Sequence, residues 1–511
     1  MFARAVSFLL ALQLLCTIDV ASARLKPKPH WQAKQAAALQ NFASKAPPSS
    51  RPGPVRANNI TFSNPKAAEF LVDGTKIPEV DFDVGPSWAG LLPISGAKNE
   101  TRKLFFWFFP PASQGSADDL VLWTNGGPGC SSLEGALQEI GPITWSWGQA
   151  KPTVNEFSWT NLSSVLFVEQ PVGTGFSQGK PNIKDEDDLA AQLVGFLQQF
   201  LDVFSELKER NFYLTGESYA GMYVPYIANY IYSNPTALAL NLKGTWISDP
   251  VLAGNVIQSE MPAVNFVHQY QNVFGFNSSF LAKLDSRAAA CHYDTYSATH
   301  VTYPPKGLLP LPGQSPDLDP GCDLWDDILS AALLINPAFD IYRIFDTYPI
   351  LWDVLGFPGT FEQIQVAPVY FNRQDVKQAL HAPLNVQWSE CSDVNVFPHG
   401  DASPPSYTIL PNVIEKNERT VIVHGLADFI LIAEGTRAVI QNITWNGQQG
   451  FQTPIQEESF VVDGMGALGN LHSERGLTYY EVALSGHMVP QFSPKAAFHI
   501  MQYLLGFRTS P

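Results

Sequence analysis

Two hydrophobic patterns alternate along most of this chain: short runs that are apolar throughout, and longer stretches in which apolar residues return every few positions. The first is the pattern of a strand buried on both faces, the second that of a helix with one buried stripe. "LVLWTN" (120–125) and "SSVLFVEQP" (163–171) are strands of this kind, each opening into a Gly/Pro turn. In "DEDDLAAQLVGFLQQFLDVFSELKER" (185–210), Leu189, Leu193, Phe196, Leu197, Phe200, Leu201 and Phe204 share a helical face. Its acidic start, Asp185 to Asp188, sits where free backbone N–H groups favour negative charge, and reads as a cap. A strand "NFYLT" (211–215), a tight turn and a second helical pattern from Tyr219 to about Tyr232 follow. Between 254 and 365 the alternation lapses, and "YPPKGLLPLPGQSPDLDPG" holds six prolines, which predicts an insertion capping a core. Strands return at "RTVIVHG" (419–425) and "TYYEVAL" (478–484), each leading into a polar loop. Alternating strands and helices predict an α/β architecture, a mostly parallel central sheet flanked by helices.

The ends carry a different message. Residues 1–23 combine Arg4, an apolar run from Val6 to Cys16 and a small-residue Ala21-Ser22-Ala23 step, the layout of a secretory signal peptide. Residues 24–57 are basic and rich in Ala, Gln and Pro, as in a propeptide or flexible leader. The expected divisions are then 58–253 for the first part of the core, 254–365 for the cap and 366–511 for the second part. No later stretch is apolar enough for a membrane anchor. Once Cys16 leaves, Cys130, Cys291, Cys322 and Cys391 remain, an even set that in a secreted chain forms two disulfides in one of three pairings. Sequons at Asn59, Asn99, Asn161, Asn277 and Asn442 agree with secretion, the vacuolar or lysosomal lumen being the alternative destination. At 45% hydrophobic and 15% charged the chain is globular, and a net charge of −16 argues against a nucleic-acid partner.

The chemistry lies on the turns. Gly216-Glu217-Ser218-Tyr219-Ala220-Gly221 is a G-x-S-x-G step between a buried strand and a helix, which lifts Ser218 above the sheet and lets the Tyr219 N–H face an oxyanion. A serine needs a base, and the base an orienting acid. Asp428 after "RTVIVHGLA" and His487 after "YYEVALSG" follow in the required order, each behind a strand. Upstream, "WTNGGPGCSS" brings Gly126 and Gly127, whose bare N–H groups can supply a second oxyanion donor. No Lys-Ser/Thr follows these glycines, so the turn is no phosphate loop, and no histidine pair has metal-ligand spacing; neither metal nor cofactor is implied.

"WTNGGPGCSS", "GESYAG", "GLADF" and "SGHMVP", in this order, resemble the serine carboxypeptidases, as do "NPAFDIY" and "YFNRQDVKQALHA". The resemblance runs from about residue 65 to 507 and implies an α/β-hydrolase fold with a largely helical cap. It implies that Ser218 attacks the last peptide bond of a peptide or protein, with His487 as base and then acid and Asp428 orienting it. Gly127 and Tyr219 would hold the oxyanion. Asn125, the Gly126 amide and Glu217 would bind the substrate's free carboxylate, with Glu139 the partner of Glu217. Glu134, Gln138 and Met488 would meet the released side chain, and Ile430 and Leu431 its neighbour; the acidic and polar members of the first set point to polar or basic C-terminal residues. Cys130 would pair with Cys391 and Cys291 with Cys322. Leu426, Leu431 and Met222 depart from residues common in the family, Asp, Cys and His respectively.

Two carboxyls in one site share a proton, so a Glu217–Glu139 pair predicts activity at acid pH. An acyltransferase of the same family is the first alternative; those enzymes typically carry Asp in place of Glu217. A catalytically silent secreted binding protein on the same fold is the second.

Overall fold

The computed structural model describes residues 60–112, 118–312, 319–348, 353–356, 369–402, 404 and 408–511, which lie in one compact unit, Pro54–Pro511. The expected signal peptide and leader, and the Asn59 sequon, fall outside these residues.

The main sheet has eleven strands among the described residues. In chain order they are β1 (Leu71–Val72), β2 (Ser87–Pro93), β3 (Lys103–Phe109), β4 (Asp119–Thr124), β5 (Ser164–Glu169), β6 (Asn211–Glu217), β7 (Asn241–Ser248), β8 (Arg419–Gly425), β9 (Gln456–Val462), β10 (Gly466–Glu474) and β11 (Leu477–Val482). Their spatial order is β1-β2-β3-β5-β4-β6-β7-β8-β11-β10-β9. The run from β5 to β11 is parallel, and both edges are closed by antiparallel strands.

Side-chain alternation in the central strands feeds two apolar layers. Leu120, Leu122, Phe212 and Leu214 pack on one face with Leu189, Leu193, Phe196 and Phe200 of helix α1 (Glu186–Val203) and with α2 (Ala220–Ser233). Val121, Trp123, Phe167 and Tyr213 face the other layer, with Ile500 and Met501 from the C-terminal helix. Each large side chain buried this way contributes about 1.5–3 kcal/mol, which is why the central strands are apolar end to end. Asp185 caps α1, its Oδ1 accepting from Asp188 N at 3.0 Å. Glu186 is no cap: it is buried and accepts from the Tyr219 hydroxyl at 2.8 Å and from Ala402 N at 2.6 Å.

Residues 254–365 carry helices at Met261–Gln269, Ser278–Ala290 and Leu324–Ile335, packed with Ile422 of β8 and Phe429 in a third apolar cluster. Cys291–Cys322 braces them. Cys130–Cys391 ties the Gly-rich turn after β4 to the later half of the chain across 261 positions, so the bridges pair as the resemblance implies. Of the described sequons, Asn99 and Asn277 are exposed and Asn161 is half-buried. Asn442 is 8% exposed, and its Oδ1 accepts from Leu309 N at 2.7 Å.

A cross-link stabilises chiefly by restricting the unfolded chain, and more for longer loops. The Cys130→Ala/Cys391→Ala variant is expected to lose about 2–5 kcal/mol in denaturant unfolding. Cys291→Ala/Cys322→Ala, which opens a separation of 31 positions, is expected to lose less; the reverse order would contradict this account.

Candidate active site

Ser218 closes β6 in the left-handed region, φ +61°, a strained setting for a residue with a Cβ. The turn holds because its neighbours have none: a Cβ on Gly216 would come within 2.3 Å of Thr124 O, and one on Gly221 within 2.4 Å of Val251 O. Ser218 N donates to Ser248 O and its carbonyl accepts from Gly221 N and Val251 N, all at 2.9 Å. The strand-to-helix step thereby presents the hydroxyl at the end of the sheet and aims the first amides of α2 the same way.

The turn after β4 comes up against this elbow. A Cβ on Gly126 would meet Tyr219 N at 2.4 Å, and Gly127 has φ +111°, so both positions require glycine. The turn is braced from below: Ser132 Oγ accepts from Asn125 N and donates to Val168 O at 2.6 Å. Ser131 Oγ donates to Glu169, which also accepts from Trp388 Nε1 at 2.8 Å and Phe176 N at 2.6 Å. The turn is thereby held against the Tyr219 amide beside Ser218.

His487 Nδ1 donates to Asp428 Oδ2 at 2.7 Å, and Asp428 Oδ1 accepts from Ile430 N at 2.9 Å and Leu431 N at 3.2 Å. Asp428 is fully buried and His487 nearly so. A role that the reading of the residues missed belongs to the end of the "NPAFDIY" segment. Ile341 O accepts from Phe429 N and Ile430 N at 3.0 and 3.2 Å, and Tyr342 O accepts from His487 N at 2.7 Å. One piece of chain thus fixes both the acid and the histidine loop. Gly486 is small for this reason, since a Cβ there would lie 2.0 Å from Tyr342 O.

A cleft of about 310 Å³ joins these parts and is lined by Asn125, Gly126, Gly127, Glu134, Glu217, Ser218, Ile430, His487 and Met488, together with Tyr342 and Glu390. Two expected wall residues are elsewhere. Gln138 is buried and turned to Asp353, donating to Oδ1 at 2.6 Å. Gly135–Glu139 forms a wide π-type turn, and within it Gln138 and Glu139 are both buried. Leu431 lies behind Asp428, its amide bonded to that carboxylate and its carbonyl accepting from His424 Nε2 at 2.7 Å.

The floor of the cleft is acidic, and no cationic side chain meets it among the described residues. Asn125 Nδ2 lies 3.0 Å from Glu217 Oε1, 3.2 Å from Glu134 Oε2 and 3.4 Å from Glu139 Oε1, and Asn125 Oδ1 is held by Trp123 Nε1 at 2.8 Å. The remaining Oε2 atoms of Glu217 and Glu139 meet no donor. Burial, then the Glu139 and Glu134 charges, push Glu217 well above the usual carboxylate range. Burial lifts Glu139 to about 7, with hydrogen bonds from Glu217 and Asn125 pulling the other way. Glu217 is accordingly the proton-bearing member and can donate a hydrogen bond. Glu390, which has no counterpart in the sequence reading, is 4% exposed with both oxygens unpartnered. Burial raises it and Glu134 alike, with the Glu134 and Asp353 charges adding to the shift of Glu390 and the Glu139 and Asp353 charges to that of Glu134. Its only sequence cue is its place immediately before Cys391.

Similarity to known proteins agrees with this geometry. A family profile described as serine carboxypeptidase matches residues 78–292 and 360–506. A probable serine carboxypeptidase of Arthroderma benhamiae is 46% identical over 466 residues, 87% of this chain and 87% of the relative. Serine-type carboxypeptidase F of Aspergillus niger is 40% identical over 523 residues, 97% of each chain. Among solved structures, a prohormone-processing carboxypeptidase from Saccharomyces cerevisiae superposes with a TM-score of 0.66 at 24% identity, over 86% of this chain and 96% of its own, which shows the α/β-hydrolase fold. With the family profile covering most of the compact unit, the chain belongs to the serine carboxypeptidases.

Proposed function

We propose that this protein removes amino acids from the C-termini of peptides at acid pH. The observation that carries this reading is the Asn125–Glu217–Glu139 cluster on the floor of the Ser218 cleft, a neutral donor set where a substrate's terminal carboxylate would rest. With the carboxylate held by Asn125, Gly126 N–H and the Glu217 carboxyl, the last peptide bond lies over Ser218. Ser218 Oγ attacks the carbonyl carbon as His487 Nε2 takes its proton, and the Gly127 and Tyr219 amides hold the oxyanion. His487 then protonates the departing amine, and a water molecule, deprotonated by the same imidazole, releases the acyl group. Glu217, rather than Asp, supports hydrolysis over acyl transfer, and an intact set of nucleophile, base, acid and carboxylate binders supports an enzyme over a silent binding protein. Two disulfides and exposed Asn99 and Asn277 support a secretory route, to the outside or to a vacuolar lumen. No described helix is long and apolar enough to cross a membrane.

We infer further that the side chain released can be basic. Glu390 and Glu134 face the cleft buried and without a cation, and a Lys or Arg side chain would supply one, drawing off their protons as it binds.

The binding form of the Glu217–Glu139 pair is the protonated one. Both carboxyls are raised, Glu139 to about 7 and Glu217 well above the usual range, so the function is complete at acid pH and fades as pH rises and the pair ionises. Glu217→Gln is expected to lose more kcat/KM on a blocked dipeptide at acid pH than at neutral pH, because Gln stays neutral where the wild-type pair does not; equal losses would refute the shared proton. Gly126→Ala is expected to lower kcat by about a hundredfold to a thousandfold, read per folded molecule, since its Cβ would displace the Tyr219 amide. Glu134→Gln/Glu390→Gln is expected to raise KM about tenfold to a hundredfold for dipeptides ending in Lys or Arg, with little change for those ending in Leu. A uniform change across such a panel would remove the basic-pocket reading.

A further inference from the structure

Behind the acid of the triad stands a second carboxyl that the reaction above does not use. Asp249 directly follows β7, the strand between the nucleophile strand β6 and the acid strand β8. It is fully buried and takes φ +44°, a left-handed conformation that an L side chain adopts at a cost. Its amide donates to Val423 O and its Oδ1 accepts from Gly425 N, both at 2.8 Å, while its buried Oδ2 meets no donor among the described residues. An oxygen of Asp249, an oxygen of Asp428 and a ring nitrogen of His424 all lie within 4.8 Å of one another.

His424 does not supply the missing charge. Its Nε2 is 2.7 Å from Leu431 O, so that nitrogen carries a hydrogen already committed to a carbonyl, and it stands 3.6 Å from Asp249 and 3.7 Å from Asp428. Its Nδ1 lies 3.1 Å from the Thr436 hydroxyl, which can donate to it. Full burial holds the imidazole below its ordinary range, hence neutral. Two adjacent buried carboxyls with no cation do not both ionise, so one keeps a proton. Asp428 accepts from three donors, His487, Ile430 and Leu431; Asp249 accepts from one.

We propose that Asp249 is a protonated positioning residue that donates a hydrogen bond through Oδ2 to Asp428, fourth in a line of Ser218, His487, Asp428 and Asp249. The inference rests on the triad reading above. Burial and the Asp428 charge, which push the Asp249 carboxyl well above the usual range, agree with it. The other titratable groups around this point are His424, His487, Glu481, Glu217 and Glu139. The device has a chemical use. A carboxylate that already accepts a hydrogen bond from a neighbouring acid stabilises an imidazolium less than a bare one. Asp249 thereby weakens the hold of Asp428 on the imidazolium that forms when His487 takes the Ser218 proton.

The test is the rate at which an organofluorophosphate labels Ser218, followed against pH in the full chain, because this reagent has no carboxylate and leaves the Glu217 pair out of the readout. Asp249→Asn keeps a neutral donor, and its acid limb is expected within about 0.3 pH unit of wild type. Asp249→Ala leaves Asp428 bare, and its acid limb is expected about one unit higher, a tenfold loss of labelling at the acid end. In peptide assays the same variant should lower kcat with KM within about twofold, whereas damage to the carboxylate site would raise KM. Coincident acid limbs in all three proteins, or an equal shift in Asp249→Asn and Asp249→Ala, would overturn the proposal. Where Asp249→Ala does not fold, the infrared carbonyl band of a protonated carboxyl at neutral pH, present in wild type and lost in Asp249→Asn, decides; no such loss overturns it. Failure of Ser218 to label at any pH takes down the triad reading and this inference together.

Discussion

The site is governed by the cost of holding carboxyls out of water without cations. Glu217, Glu139, Glu134, Glu390, Glu169 and Asp249 are all buried, and burial is the largest cause of the upward shift in each. Glu481 is the contrast that shows the rule: equally buried, it meets the Arg437 guanidinium through both oxygens and sits below its ordinary value. Where a cation is withheld, protons take its place, and protons are available only in acid. The same accounting sets stability. Glu169, which accepts from Ser131, Trp388 and Phe176 under the oxyanion turn, is raised from 4.5 to about 7. A raised carboxyl stabilises the fold fully below its unfolded value and loses that contribution as pH rises through the folded one. Turn and substrate floor are thus both strongest below about pH 4.5 and weaken together toward 7.

Geometry does the rest by removing side chains where backbones must meet. Gly126 lets the turn after β4 touch the Tyr219 amide, and Gly486 lets the histidine loop reach the Tyr342 carbonyl. The triad is accordingly held by main-chain hydrogen bonds from three distant segments rather than by its own side chains alone. The Cys130–Cys391 bridge adds a fourth constraint, and it places Glu390 in the cleft as a by-product of fixing its neighbour.

What could be read from the residues follows the same division. Ser218, Asp428 and His487 were legible because each is bound to a local pattern, a buried strand ending in a polar turn, and chain order joins them. The parallel strands were legible because burial on both faces makes them apolar throughout. By contrast β9 and β10 are largely exposed or half-buried along their length, and nothing in their composition marks them as sheet. Gln138 was expected at the cleft on the resemblance alone, and its amide is instead committed to Asp353. Glu390 follows no strand and enters the site across a long stretch of chain, where spacing carries no information; Tyr342 lies in a segment quoted only for its resemblance, and Asp249 follows a strand as Asp428 does but stands outside the expected chain order of acid and histidine.

The acidic floor also has to answer for specificity. A protonated Glu217 welcomes a carboxylate that an ionised one would repel, yet Glu134 and Glu390 can hold a cation only after giving up a proton. The two demands are compatible because they fall on different groups. Asn125 Nδ2 meets both Glu217 and Glu139, while the Glu390 carboxyl makes no hydrogen bond among the described residues that would oppose its ionisation once a cation arrives. One cleft can therefore present a neutral surface to the end of the substrate's main chain and an ionisable one to its side chain. The separation depends on Asn125, whose Nδ2 meets Glu134, which lines the cleft, together with Glu217 and Glu139.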